Sequence, residues 1–436
     1  VSVEERIGGL PDIDLDFPQS HRGQVKEYLS WRFGRDRVCG IGTFSRLQAR
    51  GLLRDLGRAL QIPLEDVNKM SEVINEVKDL DTERIEVSWD QILRETGGEL
   101  ASWATKYPRL FEKMSEMVGM VRQSSKHAAG TLISDVSLIG QLPLRVKNNE
   151  IVTQFDGPTV EKLGFIKYDI LGIRHLDTLM ECDRLAHGEE DPKRLYQLSE
   201  ETMALPEIWE QVNSGDSTGI FQIETTSFKS LLPDFKAKNE RDIADLIAVN
   251  RPGVTRSGQL DVYMKRRMGE EEIKTPHPLM SEVLASTFGV AVYQEQVMKL
   301  FQVLAGYSLV EADGIRKIMG KMLFEKMLEE KPKFIERCVK NPKFLEGCVG
   351  DPVKVANECW KMLEKAGIYV FNSAHSQAYA MISTWGAYEK HFFPREYLTA
   401  LMRTDPGRAN LYVKEARRTG IPILPPDVNE SDERFT

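Results

Sequence analysis

The sequence predicts an α+β protein, on two observations. Two-residue alternation and short β-branched runs bounded by turn residues gather before about residue 175, and helical periodicity dominates from there to Arg403. Its 436 residues, at roughly 100–200 per domain, allow two to four domains and a core that needs no disulfide or metal staple.

Gly9-Leu10-Pro11 is a breaker, after which Asp12 to Phe17 alternates acidic with apolar residues until Pro18 ends the strand. A polar helix is expected from Gln19 to Phe33, and another from Ser45 to Leu60 and on toward Met70. The acidic, weakly apolar stretch from Ser71 to Glu99 reads as an exposed, mostly helical insertion, with helix again from Ala101 to Val121. Short strands follow over 128–139, 151–155 and 164–170. The helices beyond Leu171 are broken at Arg251-Pro252-Gly253 and at Pro276-His277-Pro278, with a domain boundary near residue 175. The run PKFIERCV from Pro332 recurs as PKFLEGCV from Pro342 and reads as amphipathic turns of one surface segment.

With 41% hydrophobic and 28% charged residues, the composition excludes disordered and collagen-like chains. No apolar run approaches the roughly 18–20 residues that cross a bilayer, and Val1 to Arg6 carries no apolar targeting core, which argues against secretion. The five cysteines form no CxxC pair and read as free thiols of a reducing cytosol. A net charge of −8 argues against a uniformly basic nucleic-acid coat but leaves room for local basic stripes. The start at Val1 suggests an excised or processed chain.

In the PDIDLDF strand, Asp12, Asp14 and Asp16 share one face, and Ile13, Leu15 and Phe17 the other, which is expected to enter a core. Neighbouring carboxylates on one face stand roughly 6.5–7 Å apart at the backbone, a spacing suited to hard divalent cations such as Mg²⁺. The competing reading is an edge strand whose acidic face meets water. A further acid lies in KYDILG, where Lys167 and Asp169 share a face. That pairing suits metal and triphosphate together, and equally a structural ion pair.

Arg46, Arg50, Arg54 and Arg58 recur every four residues and predict a basic stripe along a helix, either a solvated surface or a track for duplex phosphates. Arg316, Lys317 and Lys321 cluster near a helix end, where phosphate contact competes with helix capping. Lys126 and His127 precede small residues that would let a phosphate approach the backbone, with Gly130 itself expected in a turn. His21, His175, His187, His277 and His391 show no metal-ligand spacing.

Taken in order, PDIDLDF (11–17), KHAAG (126–130), TQFD (153–156), KYDILG (167–172), GIFQIE (219–224) and RPG (251–253) resemble the C-family DNA polymerases, the family of the bacterial DNA polymerase III alpha subunit. YQEQVM (293–298), LAGYSL (304–309), FNSAHS (371–376), AYA (378–380) and PPDVNES (425–431) extend the resemblance toward the last residue. It implies a nucleotidyltransferase-like palm of the polymerase beta type over 1–43 and 122–175, an inserted helical thumb over 44–121, and mainly helical fingers over 176–436. It further implies that Asp12, Asp14 and Asp169 hold two Mg²⁺ ions, with Asp16 a supporting acid. Lys167, Arg251 and His375 would face the triphosphate of the incoming dNTP, with Lys321 a further phosphate candidate. Arg46, Arg50, Arg54, Arg58 and Lys126 would contact primer-template DNA.

The implied activity is templated transfer of a nucleotide from dNTP to a primer 3′-hydroxyl with release of pyrophosphate. The implied setting is the cytoplasm of a bacterium or of a virus-infected bacterial cell, away from membranes. A sliding clamp and other replisome subunits would bind through regions outside this sequence. The family's glycine-serine phosphate loop, which precedes the PDIDLDF strand, is also outside it, so the expectation is a catalytic core segment that is weak or inactive alone. The alternatives are a non-catalytic polymerase-like module that binds DNA or a partner and, on the carboxylates alone, a metal-dependent nuclease or phosphatase.

Overall fold

The computed structural model describes residues 13–76, 89–96, 98–189, 191, 193–198, 200–320, 322–429, 431 and 434–435. Six strands, β1 (Ile13–Pro18), β2 (Val38–Arg46), β3 (Val121–Ile133), β4 (Leu144–Lys147), β5 (Glu150–Thr153) and β6 (Lys167–Ile173), form one mixed sheet in the order β1-β6-β3-β2-β5-β4. Helices make up most of the remainder, so the chain is α+β. It divides into two compact units, which among the described residues comprise 13–15 with 23–171, and 16–22 with 172 onward.

The backbone of the first unit is the long antiparallel ribbon of β2 and β3, paired from Val38 with Ile133 to Arg46 with Val121 and interrupted between Gly40 and Gly42 and between Ser45 and Arg46. Sequence reading missed β2, because two glycines interrupt its apolar pattern. Gly42 is required by close approach: a Cβ there would stand 2.5 Å from the carbonyl oxygen of Thr153 and 2.8 Å from that of Phe155. The Thr153 hydroxyl accepts the Gly42 N–H at 2.9 Å and donates to the Phe155 carbonyl at 2.7 Å, which seats β5 alongside β2. Beneath the sheet Cys39, Ile41, Leu132, Leu138, Leu142 and Val160 form a small core.

Two expectations fail here. β1 is an edge strand, and among the described residues its apolar face joins none of the hydrophobic cores: Leu15 is 41% exposed, while Ile13 and Phe17 are half-buried. The acidic stretch after Ser71 is not merely an exposed insertion. Ile74, Trp89 and Ile92 are buried against Leu52, Leu53, Leu110 and Met114, because a few apolar residues at helical spacing suffice to fill an inner face.

Helix α1 (Arg22–Phe33) follows β1 and has no buried residue. The excursion between β2 and β3 contains α2 (Ala49–Ala59), α3 (Leu64–Glu76), α4 (Trp89–Glu95), α5 (Ala101–Lys106) and α6 (Pro108–Met117). The helix expected over 101–121 is thus two, divided at Tyr107-Pro108, and chain from Val121 is already strand. Its two ends meet: the Leu47 N–H donates to Met120 O and the Gly119 N–H to Leu47 O, both at 2.9 Å. Between β5 and β6 lies α7 (Gly157–Lys162), capped by Asp156, whose carboxylate accepts the Thr159 N–H at 3.2 Å.

Beyond the ends of β1 and β6 that it contains, the regular elements of the second unit, among the described residues, are helices, starting with α8 (Arg174–His187). One core centres on helix Glu240–Val249 and helix Ser373–Phe392. Another gathers helices Gln294–Ala305, Phe324–Lys340 and Pro352–Gly367. The short repeat belongs to this second core, not to a surface segment, for Phe334, Cys338 and Phe344 are all fully buried. Lys390, only 4% exposed, donates to Asp216 at 2.7 Å and to Glu415 at 2.8 Å, tying three distant stretches together in the interior.

Candidate active site

β1 carries Asp14, exposed, and Asp16, half-buried, and β6, its neighbour in the sheet, carries Lys167 and Asp169. Neighbouring strands run about 4.8 Å apart, so the two acidic segments adjoin at one edge of the sheet. Asp12, the first acid of the predicted set, lies outside the described residues. Among those described, no three His, Cys, Asp or Glu side chains are grouped closely enough to hold a cation.

The two oxygens of Asp169 have different surroundings. Lys167 Nζ donates to Oδ2 at 2.7 Å, the lysine being 21% and the aspartate 13% exposed. Oδ1 is buried and has no hydrogen-bond donor among the described residues. A buried carboxylate oxygen without a donor costs about 1–3 kcal/mol or more, so it demands a partner of another kind. Hard oxygen donors of this type fit a divalent cation.

His127 approaches Oδ1 with Nδ1 at 3.9 Å, yet Nδ1 already accepts the Gly130 N–H at 2.7 Å. Its lone pair is therefore committed, and that contact is not an ion pair in the neutral ring. Gly130 is strand, not turn as expected, and lies directly opposite Asp169 in the β3–β6 register. The strand expected over 128–139 already spans it, and only the turn reading of the glycine itself fails. Lys126, read as a phosphate contact, is paired with Glu150.

Of the predicted arginine stripe, only Arg50, Arg54 and Arg58 lie on α2. Arg46 ends β2, since the helix starts three residues later, and its Nη1 donates to Gly119 O at 2.8 Å. Arg50 and Arg54 are exposed, and Arg58 pairs with Asp55 at 2.8 Å on the surface.

Arg251 and His375 belong to the second unit, and Phe371 brings them together. The Arg251 guanidinium lies 4.5 Å from the Phe371 ring centre, with Nε donating to Ala248 O at 3.1 Å and Nη2 to Tyr369 O. His375 stands in the first turn of helix Ser373–Phe392, 5.5 Å from the Phe371 ring and 4.0 Å from Tyr379. Asn372 caps that turn by accepting the His375 N–H at 2.9 Å. Lys321 lies outside the described residues, and its neighbours Arg316 and Lys317 both pair with Asp313, at 2.5 and 2.7 Å. A cavity of about 1310 Å³ in the second unit, bordered by His21, Arg174, Asp177, Arg395 and Arg434, includes none of the candidate residues.

Residues 4–172 match the family described as the bacterial DNA polymerase III alpha NTPase domain, and residues 176–342 match the bacterial DNA polymerase III alpha subunit finger domain. The chain is similar to DNA polymerase III subunit alpha of Aquifex aeolicus, 33% identical over 99% of this chain and 38% of that protein. The Thermus aquaticus subunit is 34% identical over 99% of this chain and 35% of its own length, and the Bacillus subtilis subunit 31% identical over 99% and 38%. The chain thus spans little more than a third of these relatives.

Proposed function

Since this chain belongs to the family of the bacterial DNA polymerase III alpha subunit, we propose that it carries the nucleotidyl-transfer core of a DNA polymerase. In this reading residues 1–43 and 122–175 form a nucleotidyltransferase-type palm, 44–121 the thumb and 176–436 the fingers. The observation that supports it most is Asp169, one oxygen bonded to Lys167 and the other buried without a donor among the described residues, on the strand beside that of Asp14.

Asp14 and Asp169, with Asp12, are the residues that would hold two Mg²⁺. Ions so held would lower the pKa of the primer 3′-hydroxyl and stabilise the departing pyrophosphate. Lys167 sets a compact positive charge beside the acids, where triphosphate oxygens would come. Arg251 offers a planar guanidinium held by two carbonyls and an aromatic face, so little rotamer freedom remains to be lost on binding phosphate. His375, ordered by its cap and by Tyr379, would supply a flat edge for a nucleotide. Arg50 and Arg54 present exposed cations suited to sequence-independent contact with duplex phosphates.

Primer extension with the parent chain, Asp14→Ala and Asp169→Ala tests the proposal, with DNA affinity measured in parallel by fluorescence anisotropy. Both variants should lose extension by at least about a hundredfold while DNA affinity stays within about threefold. Variants that extend as well as the parent would remove these acids from the chemistry. A parent that binds DNA without extending it would favour a binding module.

A further inference from the structure

Asp169 is oriented by more than its own strand. Gly130, opposite it in register, gives its N–H to His127 Nδ1 at 2.7 Å, and the imidazole is folded back over that peptide. The fold-back depends on the missing side chain: a Cβ at residue 130 would come within 2.9 Å of Nδ1 and 3.2 Å of Ile41 Cδ1. Because Nδ1 accepts, the ring proton sits on Nε2, and the nitrogen that faces Asp169 Oδ1 at 3.9 Å has nothing to donate. The ring thereby fills the space beside Oδ1 without bonding to it.

We propose that His127 is a positioning residue for Asp169: by accepting the Gly130 N–H it fixes the peptide across from the carboxylate and leaves Oδ1 available to a divalent cation. This rests on the reading of Asp169 as a cation ligand. Partners that orient ligands without touching the ion typically contribute 10–100-fold in affinity, and an indirect one belongs at the lower end.

Mn²⁺ titrated calorimetrically into the whole chain serves as the probe, with thermal unfolding confirming that each variant is folded. His127→Ala should weaken Mn²⁺ binding by about tenfold. His127→Asn, whose Oδ1 can stand where Nδ1 does and accept the same N–H, should stay within about threefold of the parent. Gly130→Ala should resemble His127→Ala, and combining the two should add little further loss. Asp169→Ala separates the two failures. If it abolishes binding while His127→Ala leaves binding unchanged, the positioning role is wrong and the ligand reading survives. If Asp169→Ala binds Mn²⁺ like the parent, the ligand reading itself falls. An Asn variant as weak as the Ala variant would also overturn the role assigned to Nδ1.

Discussion

His175 sits where helix α8 begins, packed against Phe221 and Tyr397 in space that Gly386 leaves open; a Cβ there would come within 2.9 Å of Nε2. Tyr397 donates its hydroxyl proton to Gly219 O at 2.9 Å, so at 3.2 Å it accepts from His175 Nε2. Burial pushes the imidazole pKa down to about 4, against a smaller opposing pull from Glu224. Between pH 6.5 and 4 the unfolded chain therefore binds a proton that the folded chain refuses, and stability is lost as the pH is lowered through that window, by roughly 3 kcal/mol. Urea titrations at pH 7, 6 and 5 should show the midpoint falling before ordinary carboxylates titrate, and His175→Gln should flatten that slope. A lone histidine in a sequence gives no hint of this, because its burial depends on residues far along the chain, Phe221, Gly386 and Tyr397. Asp14, Lys167 and Asp169 were legible for the opposite reason: period-two spacing is local. Arg251 and His375 were legible only through family motifs, since an arginine before Pro-Gly also suits a turn.

At the level of elements, regular period made β1 and β6 readable, and irregular strands did not announce themselves. β2 is strand because β3 and β5 pair with it on either side, not because of its own residues. The polar start of β3, from Val121 to Ser125, likewise owes its conformation to pairing with Thr43 through Arg46. Local propensity is overridden by partners that no window of sequence contains. Gly42 is the position where that dependence is sharpest. Gly42→Ala would force a methyl against the backbone carbonyl oxygens of Thr153 and Phe155, which cannot rotate away, and should cost about 1–3 kcal/mol. Denaturant unfolding would register it, and Gly51→Ala in α2, where nothing lies within 4 Å of the added carbon, provides the control that should not lose stability.

Across the whole molecule, the second unit is held by long-range polar ties as well as by its cores. Lys390 joins helix Ser373–Phe392 to Asp216 and to Glu415 of helix Ala409–Arg418, and Arg418 bonds the same two acids. Burial pushes the Glu415 pKa up, and hydrogen bonds from Arg418 and Lys390 outweigh it and hold the carboxyl well below the usual range. That stabilisation is present above the ordinary carboxylate pKa and is lost as pH falls below it. Lys390→Met should destabilise by about 3–5 kcal/mol at pH 7, because buried Glu415 and half-buried Asp216 would lose their interior counter-charge. Equilibrium unfolding would measure the loss, and a change below about 1 kcal/mol would show that Arg418 alone suffices.

The meeting of Leu47 with Gly119 and Met120 has a consequence for ancestry. More than seventy residues leave the ribbon and return to it where Leu47 meets Gly119 and Met120 through two backbone hydrogen bonds, much as the ends of a hairpin turn meet. A backbone closure of this kind does not depend on which side chains the excursion carries. Lineages could enlarge, trim or exchange that cassette without shifting a rung of the ladder on which the acids stand.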